Sequence, residues 1–147
     1  MHELVGRNSR LDTLQAVVLS AKLPHLDENN ERRRKIAEEY AKRLRGIGDI
    51  LVPEIPDDGS HVVHLYEVRT QKRDELREHL AKSGIGAGIH YPLPYYLQPG
   101  FAHLRFQRGC CPVAERLCGE LLSLPIFPAL GEEQIEAVAA AIRKFFV

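Results

Sequence analysis

The chain has 147 residues, which is enough for one domain with a hydrophobic core. Apolar residues make up 44% and charged residues 27%, a composition that excludes a disordered or low-complexity protein. The 20 basic and 20 acidic residues cancel, so no net field favours nucleic acid or an anionic membrane as a partner. No apolar stretch approaches the roughly 20 residues of a membrane span. Because Met1 to Arg10 is polar and lacks a signal-peptide core, a cytoplasmic location is expected.

Two helices are predicted in the first third of the chain. Apolar residues recur at helical spacing from Leu11 to Leu19, and Asp12 suits the cap or the first turn. Pro24 interrupts this pattern, and a second helix is predicted from about Leu26 to Leu44. The basic run from Arg32 to Lys35 on that helix indicates a solvated face. The first helix begins abruptly, as though something should precede it.

Strands and helices alternate along the rest of the chain. The predicted elements are a strand at His61–Arg69, a helix at Asp74–Lys82, a glycine-rich strand at Ile85–His90, a helix at Pro112–Leu121, an extended piece at Ser123–Ile126 and a helix at Glu132–Phe146. Such interleaving indicates an α/β fold, in the sense of a layered α+β domain, and a single domain over residues 1–147.

The segment from His90 to Pro99 is the most unusual in the chain. It places an imidazole and the phenols of Tyr91, Tyr95 and Tyr96 on a backbone stiffened by proline. Polar groups on a rigid loop after a strand suit ligand binding. The alternative is an ordered surface loop whose aromatic rings pack on the domain.

Other candidate sites are weak. His61 and His64 would face opposite sides of a strand, and the cysteines match neither zinc nor redox spacing, so no metal site is predicted. The segment Gly84-Ile85-Gly86-Ala87-Gly88 leads into a strand, which indicates a tight turn and close backbone approach more than a phosphate loop. Asn8 and Arg10 form a donor pair that either binds an anion or is solvated.

Several motifs in register resemble one family. They are Gly6-x-Asn8-x-Arg10-Leu11-Asp12, then His90-Tyr91-Pro92-x-Pro94 with Leu97-Gln98-Pro99, and Leu122-Ser123-Leu124-Pro125-x-x-Pro128. Together they are similar to the DegT/DnrJ/EryC1/StrS aminotransferases, and the likeness covers essentially the whole chain. The resemblance implies the small C-terminal domain of a fold-type I enzyme, with long N-terminal helices and a small sheet packed with helices.

The resemblance also implies an activity. Members of this family use pyridoxal 5′-phosphate, held covalently by a lysine of a large N-terminal domain, to move an amino group onto a nucleotide-linked keto sugar. The large domain would lie upstream and is absent from these 147 residues, so no catalytic residue is predicted here. The chain alone is expected to be inactive and to bind no cofactor. The alternative is a non-catalytic binding or dimerisation module derived from such an enzyme.

Roles at matching positions follow from the same resemblance. Asn8 and Arg10 would bind the cofactor phosphate from an arm that reaches a neighbouring subunit. His90 and Tyr91 would border the sugar-nucleotide pocket, and Tyr96, which replaces the family's histidine, would hydrogen-bond the substrate. The expected partners are a second copy of the chain or a large domain, together with the nucleotide sugar and an amino donor.

Overall fold

The computed structural model describes residues 9–147 and shows helices packed around a small antiparallel sheet. The elements are α1 (Thr13–Lys22), α2 (Leu26–Leu44), β1 (Tyr66–Arg69), α3 (Arg73–Lys82), α4 (Pro112–Glu120), β2 (Leu121–Leu124) and α5 (Glu132–Phe146). Short 3-10 turns occupy Leu23–His25, Tyr95–Leu97 and Pro99–Leu104. The predicted combination of long N-terminal helices with a small sheet is confirmed. No helix in this part of the chain is long and apolar enough to cross a bilayer.

The two N-terminal helices form where the sequence predicts them. The carboxylate of Asp12 accepts a hydrogen bond from the Leu14 amide at 2.9 Å and so caps α1. Pro24 lies in the 3-10 turn that separates α1 from α2. Like α4, α1 has no buried residue. Its apolar face is therefore solvent-exposed, and we call it the α1 face: Leu14, Val17, Val18 and Leu19.

The sheet has two hydrogen-bonded strands. β1 and β2 run antiparallel, in a register that pairs Tyr66 with Leu124 and Glu67 with Ser123. A single bridge joins Gly88 to Ser123 on the outer side of β2. β2 begins directly after the last residue of α4, with no connecting loop between the two elements.

The core lies between the sheet and helices α2, α3 and α5. The Tyr40 ring stacks on Tyr66 with centroids 5.1 Å apart, and its hydroxyl donates to the Pro125 carbonyl at 2.9 Å. Fully buried aliphatic side chains surround this pair, and each contributes about 1.5–3 kcal/mol of burial. They are Leu44, Leu76, Leu80, Leu122, Ile142, Val63 and Val68.

The prediction of a strand at His61–Arg69 is wrong for its first half. Val63 has a φ of 49°, in the left-handed region that a β-branched residue rarely adopts. Two side chains hold it there: His61 Nδ1 accepts from the Val63 amide at 3.1 Å, and Arg33 donates to nearby carbonyls. Arg33 is therefore not part of the solvated face that the sequence predicted for this helix. Arg32 does lie on that exposed face, where it pairs with Glu28.

The glycine-rich strand predicted at Ile85–His90 is reduced to the bridge at Gly88. The Gly88 amide donates to the Ser123 carbonyl at 3.0 Å, and the Ser123 amide donates to the Gly88 carbonyl at 2.9 Å. Glycines weaken a strand because they add no side chain to the sheet face, and here only one residue pairs. Leu121, predicted as the end of a helix, is the first residue of β2.

Candidate functional site

The candidate site is built around His90, two residues beyond the bridge that joins Gly88 to β2. The exposed His90 ring places Nδ1 2.9 Å from the hydroxyl oxygen of Ser123. Ser123 is only 5% exposed, and its hydroxyl donates to Glu67 Oε1 at 3.2 Å. Because Glu67 and Ser123 are cross-strand partners, the sheet itself fixes this chain of hydrogen bonds.

Sequence reasoning found His90 but missed Glu67 and Ser123. One signal was present, since Ser123 is the only polar residue in the strand Leu121–Leu124. A buried hydroxyl in an apolar strand must find a hydrogen-bond partner. The partner could not be identified from the sequence, because the register of β1 against β2 was unknown.

Gly88 makes room for the His90 ring. A Cβ atom added at Gly88 would lie 2.6 Å from Cε1 of His90, which is closer than such atoms approach one another. The predicted close backbone approach is not what the structure shows: nothing lies within 4 Å of a Cβ added at Gly84 or Gly86, and the group close to Gly88 is a side chain, the His90 imidazole. The predicted tight turn is present at Gly84, whose φ is 75°.

A line of exposed aromatic rings extends from His90. Its centroids are 6.0 Å apart between His90 and Tyr91, 5.8 Å between Tyr91 and Tyr95, and 5.8 Å between Tyr95 and Phe101. We call these four residues the aromatic row. Tyr91 is 54% exposed and Tyr95 60% exposed, so these rings pack on one another and leave faces open to solvent. Exposed rings of this kind suit contact with a ligand or with another protein surface, so the ligand-binding interpretation stays a prediction.

Tyr96 is turned away from the aromatic row and toward α4. Its hydroxyl donates to Glu115 and accepts from the Cys111 amide at 3.3 Å. Partial burial of the phenol and the Glu115 contact raise the pKa of Tyr96 to about 12. The Tyr96 hydroxyl, and then the Gly109 amide, lower the pKa of Glu115. Tyr96 thus anchors the loop to the start of α4, and its predicted substrate contact stays a prediction.

The predicted cofactor ligands lie at the other end of the chain. Arg10 is exposed in the segment before α1, and Asn8 lies outside the described residues. An exposed guanidinium suits a phosphate group, so Arg10 fits the chemistry expected of it. None of the six lysines of the chain belongs to the aromatic row. They are Lys22, Lys35, Lys42, Lys72, Lys82 and Lys144.

A cavity of about 880 Å³ lies between α2 and residues 53–59. Its walls mix basic side chains such as Arg34 and Arg45 with acidic ones such as Glu38 and Asp57. It includes neither His90, Tyr91 nor Tyr96. His90 and Tyr91 belong instead to the aromatic row, whose rings are exposed. Within residues 9–147 no cluster of side chains suits a metal ion.

Comparisons with known proteins agree with this architecture. The model of the DegT/DnrJ/EryC1/StrS aminotransferase family matches residues 1–143. A protein of Geobacillus stearothermophilus described as a pleiotropic regulatory protein is 47% identical over 99% of this chain and 40% of its own length. A Streptomyces venezuelae protein, dTDP-3-amino-3,4,6-trideoxy-alpha-D-glucose transaminase, is 44% identical over 98% of this chain and 38% of its own length.

A solved structure shows the same fold. The crystal structure of S. venezuelae DesV superposes with a TM-score of 0.90 at 44% identity, over 99% of this chain and 39% of that one. The chain thus spans about 40% of the length of the curated relatives that it matches. Because the family model matches nearly all residues of this chain, the chain belongs to the DegT/DnrJ/EryC1/StrS aminotransferase family.

Proposed function

We propose that the chain forms the C-terminal part of a pyridoxal-phosphate-dependent aminotransferase that acts on a nucleotide-linked keto sugar. The observation that carries this proposal is the exposed aromatic row, which ends at a histidine whose ring is hydrogen-bonded to Ser123 of the sheet. The name of the S. venezuelae relative, a transaminase of a dTDP-linked amino sugar, supports this class of substrate.

The aromatic row would form one wall of the substrate pocket. The open faces of Tyr91 and Tyr95 can stack on a base or a sugar ring. Stacking of a base on an aromatic side chain is worth about 1–3 kcal/mol in proteins that bind single-stranded nucleic acid. His90 has a ring nitrogen left for a polar group of the sugar once Nδ1 bonds Ser123. Tyr96, through Glu115, would keep the loop in place, and a direct contact of its phenol with substrate remains part of the proposal.

Pyridoxal phosphate, when bound, would supply the electron sink for amino transfer. Arg10, with Asn8, would hold its phosphate by charge-assisted hydrogen bonds. The lysines of this chain do not suit covalent attachment because none belongs to the aromatic row, and Lys35, Lys42 and Lys82 pair with glutamates on their own helices. The attachment lysine is proposed to belong to a large domain.

The α1 face would be covered in the working enzyme. Its side chains are mostly exposed, with Leu14 at 78% and Val17 at 63%, and burying them against a large domain or a second copy is favourable. A dimer whose sites use both subunits and a cytoplasmic location belong to the same proposal. The alternative role, a module that only binds or dimerises, would use the same face.

A labelling experiment tests where the covalent chemistry lies. The chain is mixed with pyridoxal phosphate, reduced with borohydride and weighed intact by mass spectrometry. No specific adduct is expected. A stoichiometric adduct on one lysine would overturn the proposal that the attachment lysine lies outside this chain.

A reconstitution experiment tests the activity. The chain is co-expressed with the N-terminal remainder of the S. venezuelae transaminase, then supplied with pyridoxal phosphate, glutamate and a dTDP-linked keto sugar. Formation of 2-oxoglutarate is expected, and His90→Gln should reduce it whereas His25→Gln, a change on a distant exposed turn, should not. A stable complex without amino transfer would favour the non-catalytic module.

A further inference from the structure

We infer that Glu67 and Ser123 are positioning residues that hold His90 as the tautomer with a proton on Nδ1 and a free lone pair on Nε2. Neither residue touches the exposed edge of the ring. Their influence passes through two hydrogen bonds, of 3.2 Å from Ser123 to Glu67 and 2.9 Å between His90 and Ser123.

The direction of these bonds follows from what each group can donate. A hydroxyl has one proton to donate, and the Ser123 hydroxyl donates it to Glu67 Oε1. The Ser123 oxygen can then only accept a hydrogen bond from the His90 ring. A contact of 2.9 Å from that oxygen to Nδ1 is a hydrogen bond only when Nδ1 carries the proton. A neutral imidazole with a proton on Nδ1 has an acceptor at Nε2.

The backbone makes this arrangement rigid. Ser123 exchanges both main-chain hydrogen bonds with Gly88 on one side and pairs with Glu67 on the other. The His90 ring lies against Gly88, so its position is defined by packing as well as by hydrogen bonding. Within residues 9–147, Nε2 has no hydrogen-bond partner, and the exposed ring can offer it to a ligand.

The fixed tautomer assigns a partner for His90, and this step rests on the proposed function. A neutral Nε2 accepts, so it suits a donor such as a sugar hydroxyl and repels the lone pairs of a diphosphate oxygen. His90 would therefore recognise the sugar of the substrate, and the diphosphate would be bound elsewhere. Glu67 and Ser123 would act on specificity without contacting the substrate.

The tautomer can be measured directly by ¹⁵N NMR of the histidine rings in the 147-residue chain. The spectra are recorded at about pH 9, which is well above the ordinary pKa of a free imidazole. His90→Gln identifies the His90 signals by their loss. The unchanged chain should show Nδ1 protonated. Glu67→Gln keeps the shape of the side chain but lets an amide donate to Ser123, so both tautomers should appear. Ser123→Ala should also give a mixture.

Glu75→Gln is the matched control, since Glu75 is exposed on α3, and it should leave the His90 tautomer unchanged. A proton on Nε2 in the unchanged chain would overturn the inference, even if both variants failed to fold. An unaltered tautomer in folded Glu67→Gln would overturn the role of Glu67. Neither measurement needs bound sugar or amino transfer, so these failures are distinguishable from failure of the proposed activity.

Discussion

Arg33 on α2 donates from Nη1 to the backbone carbonyl of Ile126, 93 residues further along the chain and 3.1 Å away. The same nitrogen lies 3.3 Å from the carbonyl oxygen of His64. One guanidinium thus ties α2 to the segments that flank both strands, and it satisfies carbonyls that lie outside regular secondary structure.

Replacing Arg33 should therefore destabilise the fold. Arg33→Met keeps much of the aliphatic length but leaves the carbonyls of His64 and Ile126 without this donor. We expect a loss of about 1–3 kcal/mol in the free energy of unfolding, measured by urea denaturation. Arg32→Met is the neighbouring control, since Arg32 makes an exposed ion pair with Glu28, and it should cost less than about 0.5 kcal/mol. Equal losses in the two variants would contradict the structural role of Arg33.

Gly88→Ala should move the His90 ring with little change in stability. The new methyl group would meet Cε1 at 2.6 Å, and the exposed ring can relieve this clash only by giving up its hydrogen bond to Ser123. The lost hydrogen bond to Ser123, worth about 1 kcal/mol, opposes a gain of about 0.4–1 kcal/mol from replacing glycine in the unfolded chain. The expected result is a large change in the His90 ring NMR signals with a nearly constant midpoint of thermal unfolding.

Gly86→Ala provides the matched control for that change. Nothing lies within 4 Å of a Cβ added at Gly86. Its His90 signals should match those of the unchanged chain. If both alanine variants shift the ring equally, the close contact with Gly88 does not position His90.

Tyr96→Phe should raise the pKa of Glu115 toward its ordinary value of about 4.3, because the phenol that stabilises the carboxylate is removed. A carboxyl whose folded pKa is depressed contributes stability above its unfolded pKa. That contribution is lost as the pH falls through the pKa of the folded state. The unchanged chain should therefore hold the loop on α4 to a lower pH than Tyr96→Phe does. Carboxyl ¹³C NMR of Glu115 measures the shift.

Tyr95→Phe is the control for this titration. Tyr95 is the neighbouring phenol, and its ring packs on Tyr91 and Phe101 in the aromatic row. Removing its hydroxyl should leave the Glu115 titration where it was. If the pKa of Glu115 rises in both variants, loop packing and not the Tyr96 hydroxyl lowers it in the unchanged chain.

The sequence predicted helices better than strands, for a physical reason. Helical spacing and caps are local, so Asp12 and Pro24 mark real boundaries of α1 and its following turn. Strand residues at 61–65 looked equally regular, but Arg33 and His61 hold Val63 in a left-handed conformation that no local pattern reveals.

The candidate site divides in the same way. His90 and its aromatic neighbours are contiguous, so the sequence could single them out. Glu67 and Ser123 join them only because β1 pairs with β2 in one register, and that pairing is a tertiary contact over 56 residues. Non-local partners of this kind cannot be read from a single segment.

The α1 face should drive self-association of the isolated chain. Leu14 and Val18 lie one helical turn apart and are 78% and 55% exposed, so both can be buried when two copies meet. Each buried side chain of this size contributes about 1.5–3 kcal/mol. Leu14→Glu with Val18→Glu should therefore weaken association at least about tenfold, as measured by sedimentation at micromolar concentration.

Leu51→Glu is the matched control, because Leu51 is similarly exposed at 55% but lies away from α1. It should leave the sedimentation profile unchanged, and circular dichroism should show that the α1 variant keeps its helices. A monomeric unchanged chain at micromolar concentration would contradict this prediction. Equal weakening by Leu51→Glu would show that general hydrophobicity, and not the α1 face, drives the association.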